Sequence, residues 1–344
     1  MKSSIGRGRQ VAAITNKLLN ILRDRKIMFD LPSEIKKKEY GLIIVGGGPA
    51  GLTAAIYGAR AGLDVLVLEK GVFGGQIANT NIVENYPGIE SISGVELAEK
   101  FAGHAKKAGA ELKNFVEVKG AEREGSAIVL ETSVGRFKAK ALIIATGERE
   151  KKLGVPGEER LKGKGVSYCA TCDGPFFKDK EVVVVGGGNS ALDEGIYLAN
   201  FAKKVYVVYR KDKENLRADA VLVERAFANK KIEFIFNSEV KEVVGKEKVE
   251  GVVIFNSKTR KSEKMKIDGV FVYIGMEPNS THFKKIVKTD AYGYIVTDEN
   301  LCAGDGVFVA GDVRKNNIKQ VVWAAGEGAL AAVSAYRHIA RVNR

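Results

Sequence analysis

Cysteine is scarce: this chain of 344 residues has three, too few for a scaffold stapled by disulfides. No apolar run approaches the ~20 residues that span a bilayer, so a membrane-spanning chain is excluded. No apolar stretch of about 7–15 residues precedes a cleavage site near the start, so no secretory signal is expected. Few thiols and no export signal together point to a reducing, cytoplasmic setting. What abounds is glycine, 39 residues, and positive charge: 55 Lys and Arg stand against 42 Asp and Glu, a net +13. Hydrophobic residues at 45% and charged residues at 28% exclude a disordered chain, and the length suits about two domains.

The charge is uneven. Residues 1–40 carry a net +6 and the remainder +7. Val11, Ile14, Leu18, Ile21 and Leu22 recur at helical spacing, so this N-terminal extension could hold a basic amphipathic helix. An acidic surface or nucleic acid would be its partner. No aromatic stacking pattern accompanies the charge, which favours an untied extension, or translation starting at Met28.

An internal repeat organises the rest. Residues 41–71 and 181–211 align at an offset of 140, placing Gly46 on Gly186, Gly48 on Gly188 and Gly51 on Ala191. Each copy runs from an apolar β-branched stretch through a glycine turn into an Ala-rich helical stretch and a second apolar stretch. That is a βαβ unit with the G-x-G-x-x-G/A dinucleotide fingerprint. The first glycine permits the tight turn, the second lets backbone approach a pyrophosphate, and the third lets helix pack on strand. The pyrophosphate then meets free N–H groups at the helix N-terminus, beside Pro49 and Ala50 in the first copy and Asn189 and Ser190 in the second. A basic nucleic-acid-binding protein would need both fingerprints to be coincidence.

The second strand of each unit should end at the adenosine ribose. In the first copy it ends at Glu69-Lys70, where a carboxylate accepts ribose hydroxyls and repels a 2′-phosphate, so FAD or NAD is expected. The same offset lands on Tyr209, followed by Arg210, Lys211 and Arg217. Cations in place of the acid suit the 2′-phosphate of NADPH. Strands ending in glycine close each unit, through Ala145-Thr146-Gly147 in the first and Gly275 in the second, and a third such strand ends at Asp312. The expected class is α/β: two Rossmann-like domains, the second inserted in the first. Residues 41–150 and 278–344 would form the FAD-binding domain and 151–277 the NADPH-binding domain. Glu111–Glu131 suggests antiparallel strands inserted in the first.

Cys169-Ala170-Thr171-Cys172 is a C-x-x-C followed by Asp173. Structural zinc needs about four Cys or His ligands, and Cys302, His104, His282 and His338 form no second pair, so no metal is expected. A dithiol–disulfide couple fits better. Electrons would run from NADPH to FAD to Cys169/Cys172 to an external acceptor. The pair shares a domain with the second fingerprint, and both must reach the flavin, so rotation of that domain about linkers near 150 and 278 is expected. Asp173 could exchange a proton with a thiol, or cap the turn before Gly174-Pro175.

Gly46–Gly51, Gly74-Gly75-Gln76, Glu84–Gly88, Cys169–Gly174 (CATCDG), Gly186–Ala191 and Ala310-Gly311-Asp312 stand in the order seen in low-molecular-weight thioredoxin reductases, which residues 41–340 resemble. The resemblance implies a homodimeric flavoprotein that reduces thioredoxin or a glutaredoxin-like protein with NADPH. It implies that Cys172 lies nearer the flavin and that Cys169 attacks the partner. It places Asp312 on the ribityl chain, and Gly75, Gln76, Asn85, Val118, Lys319, Gln320 and Val321 along FAD, with Glu194 in the nucleotide site. Two departures stand out. Tyr209-Arg210-Lys211 replaces His-Arg-Arg in a loop two residues longer, which leaves NADH as the alternative nucleotide. Lys319-Gln320-Val321 replaces Arg-Gln-Ala. A flavoprotein feeding a peroxidase is a rival in the same fold, but commonly carries an added thioredoxin-like domain. A flavin–ferredoxin NADP reductase would not need the cysteine pair.

Overall fold

The computed structural model describes residues 37–80, 82–315 and 318–342, so the basic helix expected across Val11–Leu22 lies outside the described residues. The chain divides into two compact units, one running to Glu148 and resuming at Pro278, the other spanning Arg149–Glu277.

The first unit begins with β1 (Glu39–Val45), α1 (Pro49–Arg60) and β2 (Val65–Leu68). β1 and β2 pair in parallel, Leu42 opposite Val65, as a right-handed helical crossover requires. Helix α2 (Gly94–Ala108) is capped by Ser93, whose hydroxyl accepts from the Glu96 N–H at 3.2 Å, and stops at Gly109 in the left-handed region. It leads to β3 (Glu111–Lys113), which pairs in parallel with β2. This corrects the antiparallel expectation for the first three residues of Glu111–Glu131: a strand entered from a crossover helix runs parallel to the one before it. The rest of that stretch is antiparallel as expected: β4 (Val118–Glu124) pairs with β5 (Ala127–Thr132), and β5 in turn pairs antiparallel with β6 (Gly135–Ile144). Alternation along β1 sorts its side chains, Leu42 and Ile44 to the core under the helices, Ile43 and Val45 to the core shared with β4, β5 and β6.

The chain crosses through β7 (Glu148–Glu150) into the second unit. There β8 (Val166–Ser167) leads to a single-turn helix, α3 (Ala170–Asp173), then β9 (Glu181–Val185), α4 (Asn189–Leu198), β10 (Lys204–Val208), α5 (Ala220–Ala228) and β11 (Ile232–Ile235). A meander of β12 (Ser238–Val244), β13 (Gly251–Asn256) and β14 (Lys261–Met265) precedes β15 (Gly269–Val272). The parallel sheet has the order β11-β10-β9-β15-β8. Val182 and Val184 face α4 and α5, while Val183 and Val185 face the meander. Both faces are covered, which explains the unbroken valine run of β9.

The chain returns through β16 (Met276–Pro278), paired with β7 as a two-stranded ribbon. β17 (Cys302–Gly304) and β18 (Val307–Val309) complete the first sheet in the order β17-β18-β6-β1-β2-β3. Helix α6 (Val321–Val342) then lies directly on α1: a Cβ on Gly328 would stand 2.1 Å from the Ala50 carbonyl oxygen.

Candidate active site

The first glycine turn is shaped by close approach. Gly46 has φ +108°, and a Cβ there would lie 2.2 Å from the Ala145 carbonyl oxygen. Gly51 meets the Gly46 carbonyl so closely that its Cβ would stand 1.9 Å away. Pro49 occupies the first turn of α1, and no side chain caps it, which leaves its N-terminal N–H groups for an anion. Glu69 secures the turn: its carboxylate accepts from the Gly47 N–H at 2.6 Å and the Gly71 N–H at 2.7 Å. Each oxygen keeps a lone pair for a ribose hydroxyl. Lys70 reaches away to Glu117, whose carboxyl it holds below the usual range. The Val118 side chain is buried in the core.

A second turn sits against the first. The Gly74 N–H donates to the Gly47 carbonyl at 2.7 Å, and a Cβ on Gly75 would stand 3.2 Å from the Gly48 Cα. Gln76 Nε2 donates to the Glu148 carbonyl at 3.1 Å, and Asn85 Nδ2 to Gln320 Oε1 at 2.9 Å. Thr146 Oγ1 donates to the Asn279 backbone carbonyl at 2.8 Å, Asn279 Nδ2 donates to the Thr146 backbone carbonyl at 3.0 Å, and the Gly147 carbonyl accepts the Asn279 N–H.

Asp312 stands at the end of the third strand, and Lys319 Nζ donates to its backbone carbonyl at 2.7 Å. Burial first, then the Glu148 charge, pushes the Asp312 carboxyl up to about 6, against the pull of Lys319. Lys319 Nζ also lies 3.4 Å from Glu148 Oε2 and over the Tyr294 ring. The Tyr294 hydroxyl donates to Glu148 Oε2 at 3.0 Å, and burial pushes that phenol up to about 12. Val321 opens α6. On α6, buried Glu327 accepts from the Gly311 N–H at 2.8 Å and from Trp323 Nε1 at 2.7 Å, and pairs with Arg314. Neither Glu148 nor Glu327 belongs to a sequence motif, and only the folded chain brings them beside Asp312.

The second glycine turn repeats the first. Gly186 has φ +147°, and its Cβ would strike the Tyr273 carbonyl oxygen at 2.2 Å. No side chain caps α4 at Gly188, Ser190 follows, and Ala191 fills the third fingerprint position. Asn189 pairs with Asp219 at 2.8 and 2.7 Å and lines the cavity on which the turn opens. Tyr209 is buried beneath Gly187, its hydroxyl donating to the Asn215 carbonyl at 2.7 Å, and the Gly187 carbonyl accepts the Arg217 N–H at 2.8 Å. The turn opens on a cavity of about 680 Å³ lined by Arg210, Arg217, Tyr273 and Gly275 among others. Lys211 does not line it, and its carbonyl is held by the Asn237 N–H at 2.9 Å. Glu194 also lies off the lining. Its Oε2 is buried without a hydrogen-bond partner, and burial, then Asp193, raises its carboxyl above the usual range.

Cys169 and Cys172 are joined as a disulfide with Cα atoms 5.3 Å apart across α3. Ser167 Oγ accepts from the Cys169 N–H at 3.0 Å, and Cys169 Sγ from the Cys172 N–H at 3.2 Å. Cys172 is exposed and Cys169 half-buried. Asp173 closes the turn with its N–H on the Cys169 carbonyl at 3.1 Å, and its side chain makes no capping bond to the turn at Gly174. Cys302 is a free thiol in the other unit. No group of three or more His, Cys, Asp or Glu that could hold a metal ion occurs among the described residues.

Two glycine cradles, one closed by a carboxylate and one lined by guanidinium groups, thus stand in one chain with a disulfide. Residues 40–328 match the pyridine nucleotide-disulphide oxidoreductase pattern, and the chain belongs to that family. Within it the likeness is to thioredoxin reductases. The chain is 48% identical over 306 residues to the thioredoxin reductase of Bacillus subtilis (strain 168), covering 88% of this chain and 96% of the relative. The Lactococcus lactis thioredoxin reductase crystal structure (FR conformation) aligns with TM-score 0.78 and 41% identity, over 88% of this chain and 99% of that one. That of T. acidophilum aligns with TM-score 0.75 and 39% identity, over 88% and 99%. No helix among the described residues is long and apolar enough to cross a membrane.

Proposed function

We propose that this chain is an NADPH-dependent flavoprotein that reduces the disulfide of thioredoxin or a glutaredoxin-like protein through Cys169 and Cys172. The observation that carries the reading is the pairing of unlike cradles with one disulfide: Glu69 ends the first, while Arg210 and Arg217 line the second cavity. The first cradle fits FAD because α1 follows Gly48 with no capping side chain, which leaves its N–H groups for a pyrophosphate, and because Glu69 repels a 2′-phosphate. Gly48, Gly75, Gln76, Asn85, Asp312, Lys319 and Gln320 would hold the rest of it. FAD held there would supply two-electron transfer between the nicotinamide and the disulfide.

The protein's own part is thiol chemistry. The Cys169 thiolate attacks one sulfur of the partner disulfide, forming a mixed disulfide and releasing a partner thiolate. The Cys172 thiolate then attacks Cys169, re-forming the pair and freeing the second partner thiol. Two electrons and two protons reach the partner, and Asp173, next in chain to Cys172, would exchange one of those protons. Rotation of the second unit about the two linkers would bring nucleotide and disulfide to the flavin in turn. Tyr57 on α1 and Val322, Leu330 and Tyr336 on α6 are exposed apolar residues, which supports assembly as a homodimer. The reaction suits a reducing, cytoplasmic compartment.

The test is reduction of thioredoxin by the purified yellow protein, with NADPH and NADH compared. Cys172→Ser should abolish turnover while the nucleotide still bleaches the flavin, and retained turnover would sink the dithiol route. Arg217→Ala should raise KM for NADPH about tenfold and leave KM for NADH unchanged. Equal effects on both would favour NADH as the natural donor.

A further inference from the structure

We propose that Tyr273 couples the nucleotide cavity to the redox pair, so that a nucleotide in the cavity favours the disulfide form of Cys169–Cys172. The inference rests on the NADPH reading above and adds to it a residue and a sign.

Tyr273 follows directly on β15, and every contact in the argument lies within the second unit. Its backbone abuts the glycine turn through the Gly186 contact, and Tyr273 is one of the residues that line the cavity. Its phenol oxygen accepts the Ala170 N–H at 2.7 Å. Ala170 is fully buried at the first position of α3, between the two cysteines. One residue therefore stands at both the nucleotide cavity and the redox helix. Burial first, then the charge of Glu194, keeps the phenol protonated, so its oxygen acts as a neutral acceptor.

The sign follows from competition for a donor. The first N–H groups of a helix have no partner within it. The Cys172 N–H already points at Cys169 Sγ. When the disulfide opens, the Cys169 thiolate draws on the N–H groups around it, and Tyr273 and the thiolate compete for the one on Ala170. A nucleotide packed against Tyr273 fixes this residue, and with it the phenol that holds that donor away from the sulfur. The dithiol form loses a charge-assisted hydrogen bond and the disulfide form loses none. By linkage the nucleotide binds more tightly to the oxidised protein, the form that needs electrons.

The test uses the holoenzyme in dithiothreitol buffers, where reduced dithiothreitol plus protein disulfide exchanges with oxidised dithiothreitol plus protein dithiol. A tetrahydronicotinamide analogue of NADPH, which neither gives nor takes a hydride, is added to saturation, and thiols are counted by alkylation after an acid quench. The analogue should raise the disulfide-to-dithiol ratio about fivefold, the low end of measured couplings. Tyr273→Phe keeps the ring and deletes the acceptor. Ala170→Pro deletes the donor at a helix position that proline favours. Each variant should still bind the analogue and show no shift. A shift that survives in either folded variant, or a wild-type ratio unmoved with the analogue bound, overturns the coupling alone. Failure of the analogue to bind the wild type overturns the NADPH reading and the coupling with it.

Discussion

Asp312 illustrates how much one side chain depends on its setting. Its carboxyl rises from 3.8 to about 6, burial being the larger cause and Glu148 the next. A raised carboxyl means that the folded chain holds a proton the unfolded chain has lost. Stability therefore falls as pH rises from about 4 to 6 and stays lowered above that range, by at most about 3 kcal/mol. Asp312→Asn removes the group, so the flavin-free variant should gain thermal stability over wild type as pH rises through this window. Thermal midpoints at pH 4 and pH 7 measure it, and a constant difference between the two proteins would refute it.

At the scale of elements, α6 and α1 meet at small residues. A Cβ on Gly328 would collide with the Ala50 carbonyl, whereas one on Gly326, two residues earlier on α6, would meet nothing within 4 Å. Gly328→Ala should destabilise the protein by about 1–3 kcal/mol through overpacking. Gly326→Ala should stabilise it by about 0.5–1 kcal/mol through helix propensity. Urea midpoints of the two variants should fall on opposite sides of wild type. Such contrasts show where sequence reading ends. The α/β class was legible because apolar runs and glycine turns recur at a fixed offset, and backbone close to a phosphate must be glycine. The parallel pairing of β3 was not, because three residues carry too little periodicity to declare a partner. Lys211 looked equivalent to Arg210, yet the chain turns between them and only Arg210 lines the cavity. Tyr273 was hidden in a strand-end run whose apolar character accounts for it fully. Its importance comes from a hydrogen bond to a residue 103 positions away.

For the whole molecule, the two crossings between units are short and lie side by side in the β7–β16 ribbon, where Arg149 and Glu277 form an ion pair at 2.7 Å. Two adjacent strands can twist together, whereas well-separated linkers would resist. If rotation about this ribbon serves the reaction, holding it still must divide the catalytic cycle. A protein whose units are cross-linked in one orientation should retain either flavin reduction by NADPH or disulfide reduction by the flavin, and lose the other. Stopped-flow absorbance separates the two half-reactions, and survival of both in the cross-linked protein would exclude the rotation.

The single tryptophan has an optical consequence. Trp323 is tied to Glu327, which also holds the turn before Asp312, so the indole is anchored in the unit expected to carry the flavin. Indole emission overlaps flavin absorption, so a flavin bound in the same unit would draw excitation from it. The chain thus contains its own gauge of cofactor loading. Fluorescence excited in the near ultraviolet should be dim in the yellow protein and brighten as the flavin is stripped, with no label attached.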